Sequence, residues 1–433
     1  MTPPNDDEDD QGAADEAPRR AVAYVAPPDR LITTPFVVVT LAAFAFFVYI
    51  GALIPLVPLY IEGPIGSGEF GVGVNAAVFA IAAIVARPAL GRLADARGRR
   101  FVIVGGALVA SVGALGISQS GDLTWVLLFR VLTGIGEAGV FVGSATLIAD
   151  LSPADRRAEG ASYFSVAIFS GLGFGPVFGE WFLDDTFFER TFVAAAVFAL
   201  LAALIGSFAP ARVVSPDAGT GSGQPAPTDR SGWRRHVHPS ALLPGAVMAL
   251  GVGSLTTFFL FVPDYSRTVG LGSSGGLFLL YAAASLIVRI FFAKLPDRLG
   301  PRRMVTIALT NFMVGLAIVT LFAQVWALWV AALFVGLGAA FNYPSLMALA
   351  VNRVPDRERA AVISSFTMFF EIGGAVSGLA VGALGQLVGK RPAFLAGVVF
   401  PAIGLVVLRR WAAPAVAPES DAGEPVLSVA AGD

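Results

Sequence analysis

The sequence predicts an all-α membrane protein with twelve transmembrane helices in two pseudo-symmetric halves of six. Three observations carry this. The chain of 433 residues is 56% hydrophobic and only 14% charged, with a mean hydropathy of +0.74, whereas a soluble domain carries about 25% charged residues. Twelve apolar runs approach or exceed the length needed to cross a hydrocarbon core, about 20 residues of helix. A shift of 202 residues lays the second half of the chain on the first.

Residues 1–33, with the acidic run "NDDEDD", lack the basic start and short apolar core of a secretory signal and are expected to form a disordered tail. The N-terminal bundle, 34–209, holds apolar runs at 34–61, 70–92, 101–119, 122–149, 160–183 and 189–209. Residues 210–237, including "SPDAGTGSGQPAPTDRSG", have the Gly, Ser and Pro content of a flexible linker. The C-terminal bundle, 238–410, holds runs at 239–263, 272–294, 303–323, 325–350, 360–388 and 391–410. Residues 411–433 read as a second disordered tail.

Charge sets the orientation, because cytoplasmic loops retain Lys and Arg. With the N-terminus inside, inside segments hold 22 of the 29 basic residues. Outside loops hold Arg190, Arg267, Lys390 and Arg391, and three arginines, Arg87, Arg130 and Arg289, lie within spans. Both termini are therefore expected in the cytoplasm, with the chain crossing the plasma membrane. Cysteine is absent, which excludes disulfide and thiolate chemistry. His236 and His238 read as solvated linker residues, too few for a metal site. A net charge of −2 gives no sign of a nucleic-acid binder.

The repeat is specific. "RPALGRLADARGRR" (87–100) falls on "RIFFAKLPDRLGPRR" (289–303), and "TGIGEAG" (133–139) falls on "VGLGAAF" (335–341). "SPADRRA" falls on "VPDRERA" at the same offset, while "VPLY" and "VPDY" in the first span of each half need 205. "GIGEAG" also fits the glycine pattern of a dinucleotide loop, but that loop requires a strand-to-helix turn in water and this one is mid-span. Gly134 and Gly136 recur as Gly336 and Gly338, so they read as inherited helix packing.

"GRLADARGRR" resembles the loop signature G-x-x-x-D-R/K-x-G-R-R/K of the major facilitator superfamily of secondary transporters, with Ala96 in the basic position after Asp95. "RVLTGIGEAG" is similar to the family's Arg-containing fourth-helix motif, and "GLGFGPVFGE" (171–180) to its antiporter motif G-x-x-x-G-P-x-x-G-G, with Glu180 in place of the last Gly. The resemblance implies alternating access by two rocking halves and looks most like prokaryotic drug–proton antiporters. It implies a conformational latch of Gly91, Asp95, Gly98 and Arg99, with Asp297 in the second copy, closing on the start of the eleventh span near Ala360. Physically, a carboxylate there can favour a helix N-terminus and pair with loop arginines.

In the fifth span Gly171, Gly175 and Gly179 form a stripe without side chains and Pro176 invites a kink, a seam expected to control sealing between the halves. Arg130 and Glu137 stand two turns apart on about one face of the fourth span. Either they form a static pair, or Glu137 takes up and releases a proton. Glu371, deep in the eleventh span without a basic neighbour on its own helix, is expected to be neutralised by a proton. Arg87 and Arg289 read as anchors snorkelling to the cytoplasmic face, and Glu180 and Asp264 as boundary residues without a role. The tyrosines and asparagines within spans, Tyr163, Tyr281, Tyr343, Asn75, Asn311 and Asn342, are candidates for a cavity lining.

The expected function is proton-coupled efflux of a small amphipathic or hydrophobic compound, with a symporter or facilitator for a small metabolite as the alternative. No constellation for an enzyme and no cofactor site is present, "GQLVGKR" (385–391) being too short for a phosphate loop. A monomer suffices for the scaffold. The expected partners are the small-molecule substrate, protons and the lipid bilayer.

Overall fold

The computed structural model describes residues 24–25, 27, 30–153, 156–182, 188–211, 213–214, 238–292, 295–352, 354 and 356–410. The expected tails up to residue 23 and from 411, the linker from 215 to 237 and His236 lie outside the described residues.

Six helices build the N-terminal half: α1 (Thr34–Glu62), α2 (Gly68–Arg97), α3 (Arg99–Ser118), α4 (Leu123–Leu151), α5 (Arg157–Phe182) and α6 (Phe188–Ser207). The C-terminal half follows as α7 (Pro239–Thr268), α8 (Gly275–Phe291), the short α9 (Leu295–Leu299), α10 (Pro301–Leu321), α11 (Val325–Val351), α12 (Asp356–Val388), α13 (Lys390–Ala393) and α14 (Ala396–Arg410). Among the described residues eleven spans are long and apolar enough to cross a membrane, α13 with α14 counting as one, and α8 is a shorter apolar helix of 17 residues. The protein is a multi-pass membrane protein. α12 corresponds to the eleventh span of the sequence.

Local chemistry sets the helix starts. The Asp122 carboxylate accepts from the Thr124 and Trp125 amides at 2.8 and 3.2 Å, satisfying donors that α4 leaves unpaired. Thr33 does the same for α1, with Pro35 in its first turn. His238 caps α7: its Nδ1 accepts from the Ser240 amide, and its Nε2 meets Glu358 of α12 at 3.0 Å. Its backbone N–H donates to Ser365 at 2.8 Å. His238 is buried, so the expectation of a solvated linker residue is corrected. A proline at the first helical position leaves the preceding residue to act as cap, and an imidazole nitrogen can accept there.

Gly98 and Gly300 turn the chain between α2 and α3 and between α9 and α10 with φ of 95° and 82°. These left-handed values suit only glycine, which is why both copies of the loop keep it. Tyr24–Val25 (β1) pairs in parallel with Val213–Val214 (β2). That two-residue ladder joins segments expected to be unstructured tail and linker.

Glycines let the helices approach within each half. Gly134 faces the Phe79 carbonyl and Ala82 of α2, and Gly136 faces Gly106 and Ala110 of α3. Their copies repeat this: Gly336 faces Tyr281 and Ala284 of α8, and Gly338 faces Phe312 and Ala308 of α10. The seam on α5 is different from the one expected. Gly171, Gly175 and Gly179, flanking Pro176, lie against Phe44, Phe47, Val48, Gly51 and Ala52 of α1, inside the N-terminal half. The α5 glycine that meets the other half is Gly173, against Ala282 of α8. The reason is helical phase: positions four apart share one face, and residue 173 lies between them on the opposite side.

Candidate functional site between the halves

The two halves touch at the end of the molecule away from the termini, called the far end below. Gly73 of α2 lies against Gly378 and Gly382 of α12, where a Cβ on Gly73 would collide with backbone. Nearby, the Lys390 ammonium bonds to Glu62 at 2.5 Å and to Asp264, with Glu69 at 3.8 Å. Glu62 and Glu69 belong to one half, Asp264 and Lys390 to the other. Glu180 at the end of α5 accepts from the Ser274 amide at 3.0 Å and from the hydroxyls of Ser273 and Ser274, at the start of α8. An acid there meets the positive end of a helix. Glu180 and Asp264 thus hold the far end together, against the expectation that they have no role. Side-chain pairing across halves leaves no signal in a one-dimensional pattern, although the Glu180-for-Gly departure marked one of the two places.

At the other end the described residues show one side of the expected latch. The Asp95 side chain is 73% exposed and pairs with Arg99 at 3.2 Å, while Arg99 also reaches Asp150 at 3.1 Å. These contacts lie within the N-terminal half. Gly91 faces open space, and the side chains of Asp297 and Ala360 lie outside the described set. Among the described residues, the cross-half contacts of Gly73, Lys390 and Glu180 all lie at the far end.

Among the described residues, two cavities between the halves border the buried charges. One of about 290 Å³ on the side of the termini is lined by Arg87, Glu137, Phe141, Phe169 and Tyr343, among others. One of about 230 Å³ toward the far end is lined by Asn75, Phe79, Arg130 and Phe259, among others. Leu172, Phe370 and Glu371 line both. Tyr281, Asn311, Asn342 and Tyr163 line neither of these two.

The charged centre is a triad. Arg87 Nη2 of α2 lies 2.7 Å from Glu371 Oε1 of α12 and 3.6 Å from Glu137 Oε2 of α4. The three side chains are 15%, 12% and 7% exposed, and the guanidinium also stands 5.0 Å from the Phe141 ring centroid. Three expectations are corrected here. Arg87 is not an anchor: α2 continues ten residues past it to Arg97, about 15 Å of helix, so Arg87 lies too deep to snorkel. Glu371 has a cationic partner, supplied by the other half. Arg130 and Glu137 do not pair: two turns separate them by about 10.5 Å along the axis, and side chains tilt toward the helix N-terminus, Arg130 away from Glu137. Arg130 instead stands 4.5 Å over Phe79, with Nε and Nη1 buried and without hydrogen-bond partners. Among the described residues no group of three His, Cys, Asp or Glu could hold a metal ion.

The family model of the Major Facilitator Superfamily matches residues 39–310 and 272–431. The chain belongs to the major facilitator superfamily. The superfamily member is 25% identical over 384 residues to the quinolone resistance protein NorA of Staphylococcus aureus, covering 85% of this chain and 94% of NorA. It is 27% identical to the uncharacterized MFS-type transporter STM4428 of Salmonella typhimurium, covering 86% and 94%. Its fold matches the crystal structure of a bacterial homologue of the human lysosomal transporter Spinster in an inward-facing, unoccupied conformation. That match has a TM-score of 0.70 and 16% identity, covering 86% of this chain and 95% of the other. This transporter scaffold places the Arg87 triad where its two halves meet.

Proposed function

We propose that the protein is a proton-coupled exporter, exchanging protons for a small amphipathic or hydrophobic compound by alternating access. The bundles 34–209 and 238–410 rock as units about the central cavities, 210–237 is a cytoplasmic linker, both termini are cytoplasmic, and a monomer in the plasma membrane suffices. The observation that carries this reading is one guanidinium shared by two carboxylates from opposite halves. With both acids ionised the triad holds one uncompensated negative charge, which is costly in the membrane interior, and one proton removes it. A proton on Glu371 releases Arg87 to Glu137 alone and frees the halves to part. Proton binding and the change of conformation are thereby linked through the same bond. The resemblance of "GLGFGPVFGE" to the antiporter motif and the similarity to NorA support export.

The test is transport in proteoliposomes under an imposed pH gradient. Wild-type protein moves substrate against the proton flow. Glu371→Gln and Glu137→Gln each lose gradient-driven transport tenfold or more while remaining folded. Transport indifferent to the gradient would make the protein a facilitator, and movement with the protons a symporter.

A further inference from the structure

Arg130 is a charge that the proton exchange leaves unused. It stands about 10.5 Å along α4 from Leu123 and lines the cavity of about 230 Å³ toward the far end. Its Nε and Nη1 are buried without hydrogen-bond partners, and the guanidinium lies 4.5 Å from the Phe79 ring centroid. A ring face attracts the cation but accepts little from its N–H groups. The same wall holds a second unsatisfied group. Asn75, one turn before Phe79 on the same face of α2, is buried and its Oδ1 has no partner. Packing does not require either residue. Under the 202-residue shift Arg130 falls on Ala332 and Asn75 on Leu277, both fully buried. The C-terminal half fills these places with apolar side chains, so the polar groups belong to what this cavity holds.

Glu371 lines the same cavity. Its carboxylate and that of Glu137 both reach Arg87 Nη2, at 2.7 and 3.6 Å, so Glu371 stands level with Glu137. Arg130 is two helical turns from Glu137, which sets the charges of Arg130 and Glu371 about 10 Å apart. The rest of the wall is largely apolar, with Leu53, Leu172, Phe259 and Phe370. A guanidinium stays charged and carries five N–H donors. With both acids ionised the triad carries one excess negative charge, and Arg130 carries a positive one. In a membrane interior each calls for its opposite. A plain acid seated on Arg130 would bind best when Glu371 is protonated, and would travel with the proton. A compound that also brings an ammonium to Glu371 binds best when the proton has left, which is the exclusion an exchanger needs.

We infer that Arg130 receives an acid group of the transported compound while Glu371 meets its ammonium, so that the cargo is a zwitterion with its two charges about 10 Å apart on an apolar body. This rests on the reading of the central cavity as the transport site and of Glu371 as the group that exchanges the proton. It names the chemistry of what enters. An α-amino acid, whose charges sit on one carbon, cannot reach both ends.

The test is binding, with no gradient and at one fixed pH. Purified full-length protein in neutral detergent is titrated by calorimetry with a biphenyl carrying a carboxylate at one para end and an aminomethyl group at the other. Its methyl ester, its N-acetyl derivative and biphenylalanine, which holds both charges at one end, serve as controls. The expected result is at least tenfold tighter binding of the separated zwitterion than of any control. Arg130→Gln brings the zwitterion down to the level of the ester and leaves the ester unchanged, which also reports an intact fold; Arg130→Lys retains part of the preference. Glu371→Gln brings it down to the level of the N-acetyl derivative and leaves that one unchanged. A zwitterion no tighter than the controls, or an equal loss of all four ligands in Arg130→Gln, overturns the inference. A protein that prefers the separated zwitterion yet ignores a pH gradient keeps this inference and removes the proton coupling. One that couples to protons and binds all four alike does the reverse.

Discussion

Arg87 Nη2 and Glu371 Oε1 stand 2.7 Å apart and join α2 of one half to α12 of the other across 284 residues of sequence. Glu137 shares the same cation at 3.6 Å. Removing the cation leaves two carboxylates facing one cavity. Breaking a buried pair from one side typically costs about 3–5 kcal/mol. Arg87→Ala is therefore expected to lower the melting temperature in detergent markedly, and adding Glu371→Gln to restore more than half of the loss. A double variant as unstable as the single one would mean the pair contributes nothing.

Lys390 bridges the halves at the far end through Glu62, Asp264 and Glu69. In Lys390→Met three carboxylates repel one another, and the closed far end loses its shared cation. Because the chain has no cysteine, Asn75→Cys is a unique reporter on the cavity toward the far end. The rate of labelling by a membrane-impermeant maleimide from the far side should rise roughly tenfold, the factor that about 1.4 kcal/mol produces. An unchanged rate would show that the cluster does not hold this end shut.

Glu180 gives α8 an acid at its N-terminus from the neighbouring half. Replacing it with glycine, the residue of the resembled motif, removes both the cap and the cross-half bond. A lost cap costs about 1 kcal/mol. Glu180→Gly should lower thermal stability by that order and speed labelling at Asn75→Cys, and Glu180→Gln, which still accepts from Ser274, should fall between. Glutamine behaving like glycine would assign the effect to charge alone.

Gly73→Val tests the backbone contact of α2 with α12. Its side chain would meet the Gly378 carbonyl and the Gly382 Cα, neither of which can yield without moving the helix. The variant should fold but fail to close at the far end, with transport reduced tenfold or more and Asn75→Cys labelled at a rate insensitive to substrate. Wild-type transport by this variant would mean that the close approach is dispensable.

Composition made the spans legible, and the offset between copies made the twofold pattern legible, down to glycines that pack alike in both halves. Glu137 and Glu371 were visible as acids in apolar helices. Their partner was not, for two physical reasons. An apolar run stops where charge begins, so counting depth from its end placed Arg87 near the surface, whereas α2 continues to Arg97. Contacts between halves also depend on helix rotation, which a pattern of residue types constrains weakly. The same limit hid the link between Lys390 and Glu62, two residues in separate halves.

The far end is held by charges, around Lys390 and at Glu180, and by bare backbone at Gly73 and Gly378. Charge contacts weaken as ionic strength rises, partly buried ones such as these less than exposed ones, whereas contacts between backbones do not weaken. External sodium chloride is therefore expected to act as a throttle, easing the opening step and raising turnover, without making the closed protein porous to protons. Turnover and passive proton flux, measured side by side against salt, should part company: the first climbs while the second stays flat.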